Sequence, residues 1–191
     1  MPPIVLASTS RSRAELLTRL RLPFTTAAPG VDESAAAFNL PPRERAIALA
    51  RAKADAVATH HKGAIVIGSD QVCACDGAIL DKPGTAERAR AQLATLRGRR
   101  HTLLTAVHLA TPHGPRAFVD ETHLTMRPLT DAAIARYVDA DQPLDCAGSY
   151  RIEGLGIALF AAVETRDQTA IVGLPLIALV AHLSALGVEL P

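Results

Sequence analysis

Ser8-Thr-Ser-Arg-Ser-Arg13 crowds hydroxyls and guanidinium groups into six residues. It directly follows the apolar run Ile4–Ala7 and precedes Leu16, Leu17 and Leu20, which recur at helical spacing. A loop between a strand and a helix N-terminus turns backbone N–H groups outward beside these side chains, which suits a phosphate. The same residues also read as a plain N-cap by Ser10 or Ser12 with solvated arginines, and both readings stay open on this segment alone. Further along stand the acidic pair of Val31-Asp-Glu33, Lys53 on the edge of an apolar stripe, Ser69-Asp70-Gln71 at the end of an apolar run, and Asp81-Lys82-Pro83. Singly, these are a solvated turn, a snorkelling lysine, a strand end and a constrained surface lysine. Together, Arg13, Lys53 and Lys82 match the charge of a triphosphate, while Glu33 and Asp70 offer the hard oxygen ligands that magnesium demands. Such a set points to attack of an activated water on a phosphorus atom, with positioning and charge stabilisation supplying most of the acceleration.

The elements that must hold these residues can be read from periodicity and turn chemistry. The first strand, polar loop and helix lead to Leu40-Pro-Pro42, which introduces a long helix over 43–59 with Ala46, Ile47, Ala50, Ala54 and Val57 inward. Residues 64–68 form a buried strand, and its continuation places Asp70 where α/β proteins bind ligands. A hairpin over 72–80 turns at Asp76-Gly77, and a helix capped by Thr85 directs Ala86, Ala89, Leu93 and Leu96 inward. Two strands over 102–110 and 117–126, joined by Pro112-His-Gly-Pro115, form an antiparallel pair. A helix capped by Thr130 follows, then a glycine-rich stretch with Gly148, Gly154 and Gly156, a strand over 157–163 and a helix over 175–186 ended by Gly187. The glycines serve either close approach to a ligand or a bulged strand. There is no internal repeat, low-complexity linker or charge tract, so the pattern is one mixed α/β domain.

Composition excludes several classes. The 191 residues are 49% hydrophobic and 20% charged with mean hydropathy +0.18, enough apolar surface to exclude global disorder and to fill one domain. Twenty basic and nineteen acidic side chains give a net charge of +1, which argues against a nucleic-acid polymer bound through bulk charge and leaves a small nucleotide open. Apolar runs such as 174–180 fall short of a bilayer span, and no secretory leader is visible, so a cytoplasmic protein without membrane association is expected. Cys73, Cys75 and Cys146 fit neither a disulfide scaffold nor a zinc site and read as reduced structural thiols.

Leu6-Ala-Ser-Thr-Ser-Arg-Ser-Arg13, Val31-Asp-Glu33, Ala52-Lys53-Ala54, Ile67-Gly-Ser-Asp-Gln71, Lys82-Pro83, Ala147-Gly148 and Val172-Gly-Leu-Pro175 occur in that order over nearly the whole chain. This ordered set resembles the Maf family of nucleoside triphosphate pyrophosphatases. Gly68-Ser-Asp-Gln-Val-Cys73, Cys146-Ala-Gly-Ser149, Glu153-Gly and Val172-Gly-Leu-Pro-Leu-Ile177 are most similar to its YceF-type branch, associated with 7-methyl-GTP. The resemblance implies a Maf/Ham1-like elongated mixed α/β sheet flanked by helices, with two lobes and a central cleft in a single domain over residues 1–191. It implies a divalent cation, Mg2+ or Mn2+, a homodimer, and a nucleoside triphosphate substrate cleaved by water to the monophosphate and pyrophosphate. Carried over by position, Asp70 is the proton acceptor, Glu33 and Asp70 hold the metal, Ser8, Ser10, Arg13, Lys53 and Lys82 bind the phosphates, and Ser12, Gln71 and Glu153 bear on base choice. The chain departs from the pattern at Arg11, where proline is usual, at Ala14, where a second arginine is usual, and at Ser12, where the branch can carry an aromatic. Arg11 offers a replacement charge from another angle. With no Trp in the chain, one stacking surface for a methylated base is missing. The alternatives are the dTTP/UTP branch of the family and a nucleotide-binding regulator of cell division.

Overall fold

The computed structural model describes residues 2–33 and 39–190. Among them the elements run β1 (Ile4–Ala7), α1 (Arg11–Thr18), β2 (Phe24–Thr26), α2 (Pro42–Ala58), β3 (Ile65–Cys75), β4 (Ala78–Ile79) and α3 (Ala86–Leu96). There follow β5 (Arg100–Ala110), β6 (Arg116–Met126), α4 (Asp131–Asp141), β7 (Phe160–Glu164), α5 (Gln168–Val172) and α6 (Leu176–Ser184), with 3-10 turns at Ala147–Ser149 and Leu155–Leu159. The strands form one seven-stranded sheet in the order β2-β1-β3-β5-β6-β7, with β4 beside β3. β1 is parallel to both neighbours, Ile4 lying opposite Phe24 and Ile65. β3–β4 and β6–β7 are antiparallel. The five residues joining β5 to β6 are too few for a parallel crossover, so that pair is an antiparallel hairpin. The expected mixed α/β sheet is what forms.

The chain divides into two compact units, one of Met1–Asp70, Thr105–Asp120 and Asp167–Pro191, the other of Gln71–Leu104 and Glu121–Arg166. In the first, strict alternation sorts the two faces of β1 and β3. Ile4, Leu6, Ile65 and Ile67 pack with Leu16 and Leu17 of α1 and Leu179 and Leu183 of α6, whereas Val5, Ala7, Ala64 and Val66 pack with Ala54 and Val57 of α2. In the second unit α3 and α4 each bury one stripe, Ala89, Leu93 and Leu96 in α3 and Ile134, Tyr137 and Val138 in α4, and an ion pair of 2.6 Å joins Arg90 to Asp139. Thr85 and Thr130 cap these helices as expected, each hydroxyl accepting from the backbone N–H three residues on. The Asp76-Gly77 turn also forms, both residues having positive φ as a two-residue hairpin turn demands.

Three local readings are corrected. Ile47 is 38% exposed instead of inward, because the buried stripe of α2 runs Ala46, Leu49, Ala50, Lys53, Ala54, Val57 and Ile47 falls off it. The strand expected from 157 starts at Phe160. Gly156 is wound so tightly that a Cβ there would lie 2.2 Å from Arg151 O, and 155–159 forms a 3-10 turn instead. Strand β2 and helix α5 were not anticipated. The latter starts at the buried Asp167, whose carboxylate accepts from Thr169 N, Thr169 Oγ1 and, at 2.7 Å, Ile177 N at the head of α6.

Candidate active site

Strand β3 creates the site by running past its apolar part. Alternation turns Ala64, Val66 and Gly68 toward α2, and the next residue in that series is Asp70. Gly68 has no side chain because there is no room for one. A Cβ would stand 2.3 Å from Ala50 O and 2.7 Å from Ala54 N, so helix and strand touch backbone to backbone. At that separation Lys53, one residue before Ala54, reaches Asp70: Nζ donates to Oδ1 at 2.6 Å. Nζ also lies 2.6 Å from Glu33 Oε1, so one ammonium joins two carboxylates from distant parts of the chain. Lys53 and Asp70 are each only 7% exposed. The snorkelling reading of Lys53 therefore gives way to the buried one.

Arg13 enters from α1. Ser8 lies buried just past β1, its hydroxyl accepting from Ser10 N at 3.1 Å, and Ser10 in turn caps α1, accepting from Arg13 N. The N-cap reading of this loop is correct for Ser10, and a hydroxyl that accepts there still has its own proton to offer an anion. Arg13 Nε donates to Gly173 O at 2.9 Å, which holds the half-buried guanidinium. Ser12, half-buried, stands in the first turn of the same helix. All these groups lie in the first compact unit, whereas Gln71, Lys82 and Glu153 belong to the second. Gln71 is half-buried on β3, Lys82 is exposed between β4 and α3, and Glu153 is exposed in the turn before Gly154.

The electrostatics set Asp70 apart. Burial pushes its carboxyl above the usual carboxylate range, Lys53 and Arg13 pull it back, and the charge of Glu33 adds to the rise. Burial lowers the Arg13 guanidinium from its ordinary value against the opposing charges of Asp70 and Glu33, and arginine stays cationic regardless. The thiols are placed for packing. Burial raises Cys73 to about 12 and Cys146 to about 11, so neither is a thiolate at neutral pH. Such an arrangement can hold a polyanion with fixed cations and take a proton from water at a carboxylate of raised basicity.

The sequence model described as "Maf-like protein" matches residues 3–186. This chain belongs to the Maf family. Maf relatives similar to it over the full length include a 7-methyl-GTP pyrophosphatase of Xanthomonas oryzae pv. oryzae, 50% identical over 191 residues with all of both chains covered. Proteins of the same name from Pseudomonas aeruginosa, 48% identical with all of both chains covered, and Cupriavidus metallidurans, 46% identical over 97% of this chain and 94% of that one, are also similar. Among solved structures, the Staphylococcus aureus Ham1 protein overlaps 66% of this chain and 72% of its own with 16% identity and a TM-score of 0.49.

Among the described residues, two carboxylates that could together hold a divalent cation are Glu33 and Asp70. Their oxygens flank a single cationic point, now the Lys53 ammonium, and are hard donors that suit Mg2+ or Mn2+. No group of three or more His, Cys, Asp or Glu side chains fit for a metal occurs among the described residues, so further ligands would have to be substrate oxygens and water. Sequence reasoning missed Ser69 and Gly173, though both stand inside motifs it singled out. The Ser69 hydroxyl lies 2.9 Å from Gly173 O and 3.1 Å from Ala106 O, two acceptors that share its one proton. The available signal was a hydroxyl amid the apolar residues of a buried strand.

Proposed function

We propose that this chain hydrolyses 7-methyl-GTP to 7-methyl-GMP and pyrophosphate in the cytoplasm, with Asp70 as the water-activating base. The observation that carries this reading is the buried Asp70 carboxylate, raised in pKa, tied to Lys53 and set beside Glu33 and Arg13, in a chain matched end to end by relatives bearing that activity as their name. The water oxygen bonds to the α-phosphorus and its proton passes to Asp70. The bond from that phosphorus to the α–β bridging oxygen breaks, and its electron pair leaves with pyrophosphate. Arg13, Lys53 and Lys82, with the hydroxyls of Ser8 and Ser10, hold the phosphate chain and offset its charge. A divalent cation on Glu33 and Asp70 supplies further charge neutralisation.

Base choice is assigned to Ser12, Gln71 and Glu153. Guanine presents N1–H and a 2-amino group as adjacent donors, and a carboxylate offers two acceptors at matching separation. Methylation at N7 makes N1–H the stronger donor, so the anionic partner favours the methylated base, while Gln71, with both a donor and acceptors, either reads O6 or fixes the carboxylate. The test is pyrophosphate release from 7-methyl-GTP, GTP, UTP and dTTP with Mg2+ or Mn2+. The expected result is 7-methyl-GTP as best substrate with pyrophosphate the first product. Orthophosphate as first product would overturn the chemistry, and a preference for UTP or dTTP would overturn the base assignment alone.

A further inference from the structure

Ser69 and Gly173 take no part in the reaction just described, yet one oxygen joins them to it. β3 turns Ser69 to the face opposite Asp70, where its fully buried hydroxyl donates to Gly173 O at 2.9 Å, with Ala106 O at 3.1 Å. The same Gly173 oxygen accepts Arg13 Nε at 2.9 Å, using the second lone pair of the carbonyl. The backbone of Gly173 is in the left-handed half of conformational space at φ 113°, and a Cβ there would stand 3.1 Å from Arg13 Nε. The position thus needs a glycine twice, for its conformation and for the room the guanidinium takes. The turn bearing it is itself tied down, since Thr105 Oγ1 donates to Ala170 O at 2.9 Å and Asp167 and Thr169 accept from the backbone at the head of α6. Arginine is a long, flexible side chain, and a fixed acceptor at Nε leaves both Nη nitrogens for a phosphate.

We propose that Gly173 and Ser69 are positioning residues, the Gly173 carbonyl, oriented by the Ser69 hydroxyl, fixing Arg13 through Nε so that its Nη groups meet the substrate's phosphates. The proposal rests on the reading of Arg13 as a phosphate ligand. It predicts that Ser69 and Gly173 act only through an arginine at position 13. The test is Ser69→Ala in the wild-type and Arg13→Lys backgrounds, since lysine keeps the charge and has no Nε. The readouts are the Kd of inorganic triphosphate by calorimetry and the KM and kcat for the best nucleotide. In the wild-type background Ser69→Ala should raise Kd and KM about 3- to 10-fold, the worth of one hydrogen bond, with kcat changed less than about twofold. In the Arg13→Lys background it should change Kd less than about 1.5-fold, the non-additivity expected of groups acting as one. Gly173→Ala should show the same dependence with a larger loss and serves if Ser69→Ala does not fold, and Ser69→Thr, which keeps the donor, should restore Kd to within about twofold. Equal losses in both backgrounds would overturn the positioning role while leaving Arg13 a phosphate ligand. An unchanged Kd in Arg13→Lys alone would overturn the positioning role, because lysine has no Nε to be fixed, and an unchanged Kd in Arg13→Ala would overturn the reading of Arg13 and the proposal with it.

Discussion

Asp70 concentrates the chemistry in one carboxylate, and its isosteric amide separates charge from shape. Asp70→Asn keeps an acceptor for Lys53 and should preserve the fold, while turnover falls about 10²- to 10⁴-fold, the usual cost of losing a general base. Rates from the screen above, with thermal unfolding as control, decide it, and near-normal turnover would move the role to Glu33. Glu153→Gln should lower kcat/KM for 7-methyl-GTP about 10- to 150-fold, equivalent to about 1.5–3 kcal/mol, and that for UTP much less. Equal loss on both substrates would remove Glu153 from base recognition. The thiols belong at this scale too. Burial pushes Cys73 up to about 12 and Cys146 up to about 11 and raises Cys75 as well, so an alkylating reagent at pH 7 should leave turnover of the folded enzyme intact.

At the scale of elements, the closeness of α2 to β3 decides whether a lysine meets an aspartate. Gly68→Ala would force a methyl against the Ala50 carbonyl and the Ala54 amide, neither of which can swing aside as a flexible side chain would. Helix α2 must shift, costing about 1–3 kcal/mol by overpacking, and Lys53 moves with it, so denaturant midpoint and turnover should both fall. A loss of stability with full activity would show that the Lys53–Asp70 pairing does not matter. The head of α6 offers a purely structural counterpart. Asp167→Ala strips the acceptor from Thr169 N, Thr169 Oγ1 and Ile177 N at once and should lower stability by about 2–4 kcal/mol, read from denaturant unfolding.

For the molecule as a whole, the acid side of the stability profile should be governed in part by His101. This ring is 2% exposed, bonds Tyr150 OH through Nε2 at 3.0 Å and packs near Phe160. Burial depresses it to about 4 from the ordinary 6.5, so it is neutral in the folded state at pH 7. The unfolded chain takes up its proton first, and stability therefore falls as pH drops from about 6.5 toward 4. Between pH 7 and 4.5 the loss from this one group is about 2–3 kcal/mol. His108, also lowered by burial, acts in the same direction, whereas Asp70, whose pKa is raised, acts in the opposite one. Urea unfolding at a series of pH values should show this decline, and His101→Gln should flatten it.

Much of this protein is local physics and was therefore legible in its sequence. Thr85 and Thr130 cap helices because their own hydroxyls reach their own backbone, and Asp76-Gly77 makes a hairpin because two adjacent residues accept positive φ. The order of the motifs likewise marked Arg13, Glu33, Lys53 and Asp70, since chain order survives folding. Distances between remote segments do not exist in a string of residues. Ile47 fell off the buried stripe and Leu49 lies on it because the α2 stripe is centred by what it packs on, and the strand expected at 157 gave way where Arg151 crowds Gly156. That the ammonium of Lys53 lies between Glu33 and Asp70, and that Arg13 hangs from a carbonyl 160 residues away beside a buried serine, are facts of close packing between elements. Only the tertiary structure decided them, because only there do Gly68 and Gly173 have neighbours near enough to require the absence of a side chain.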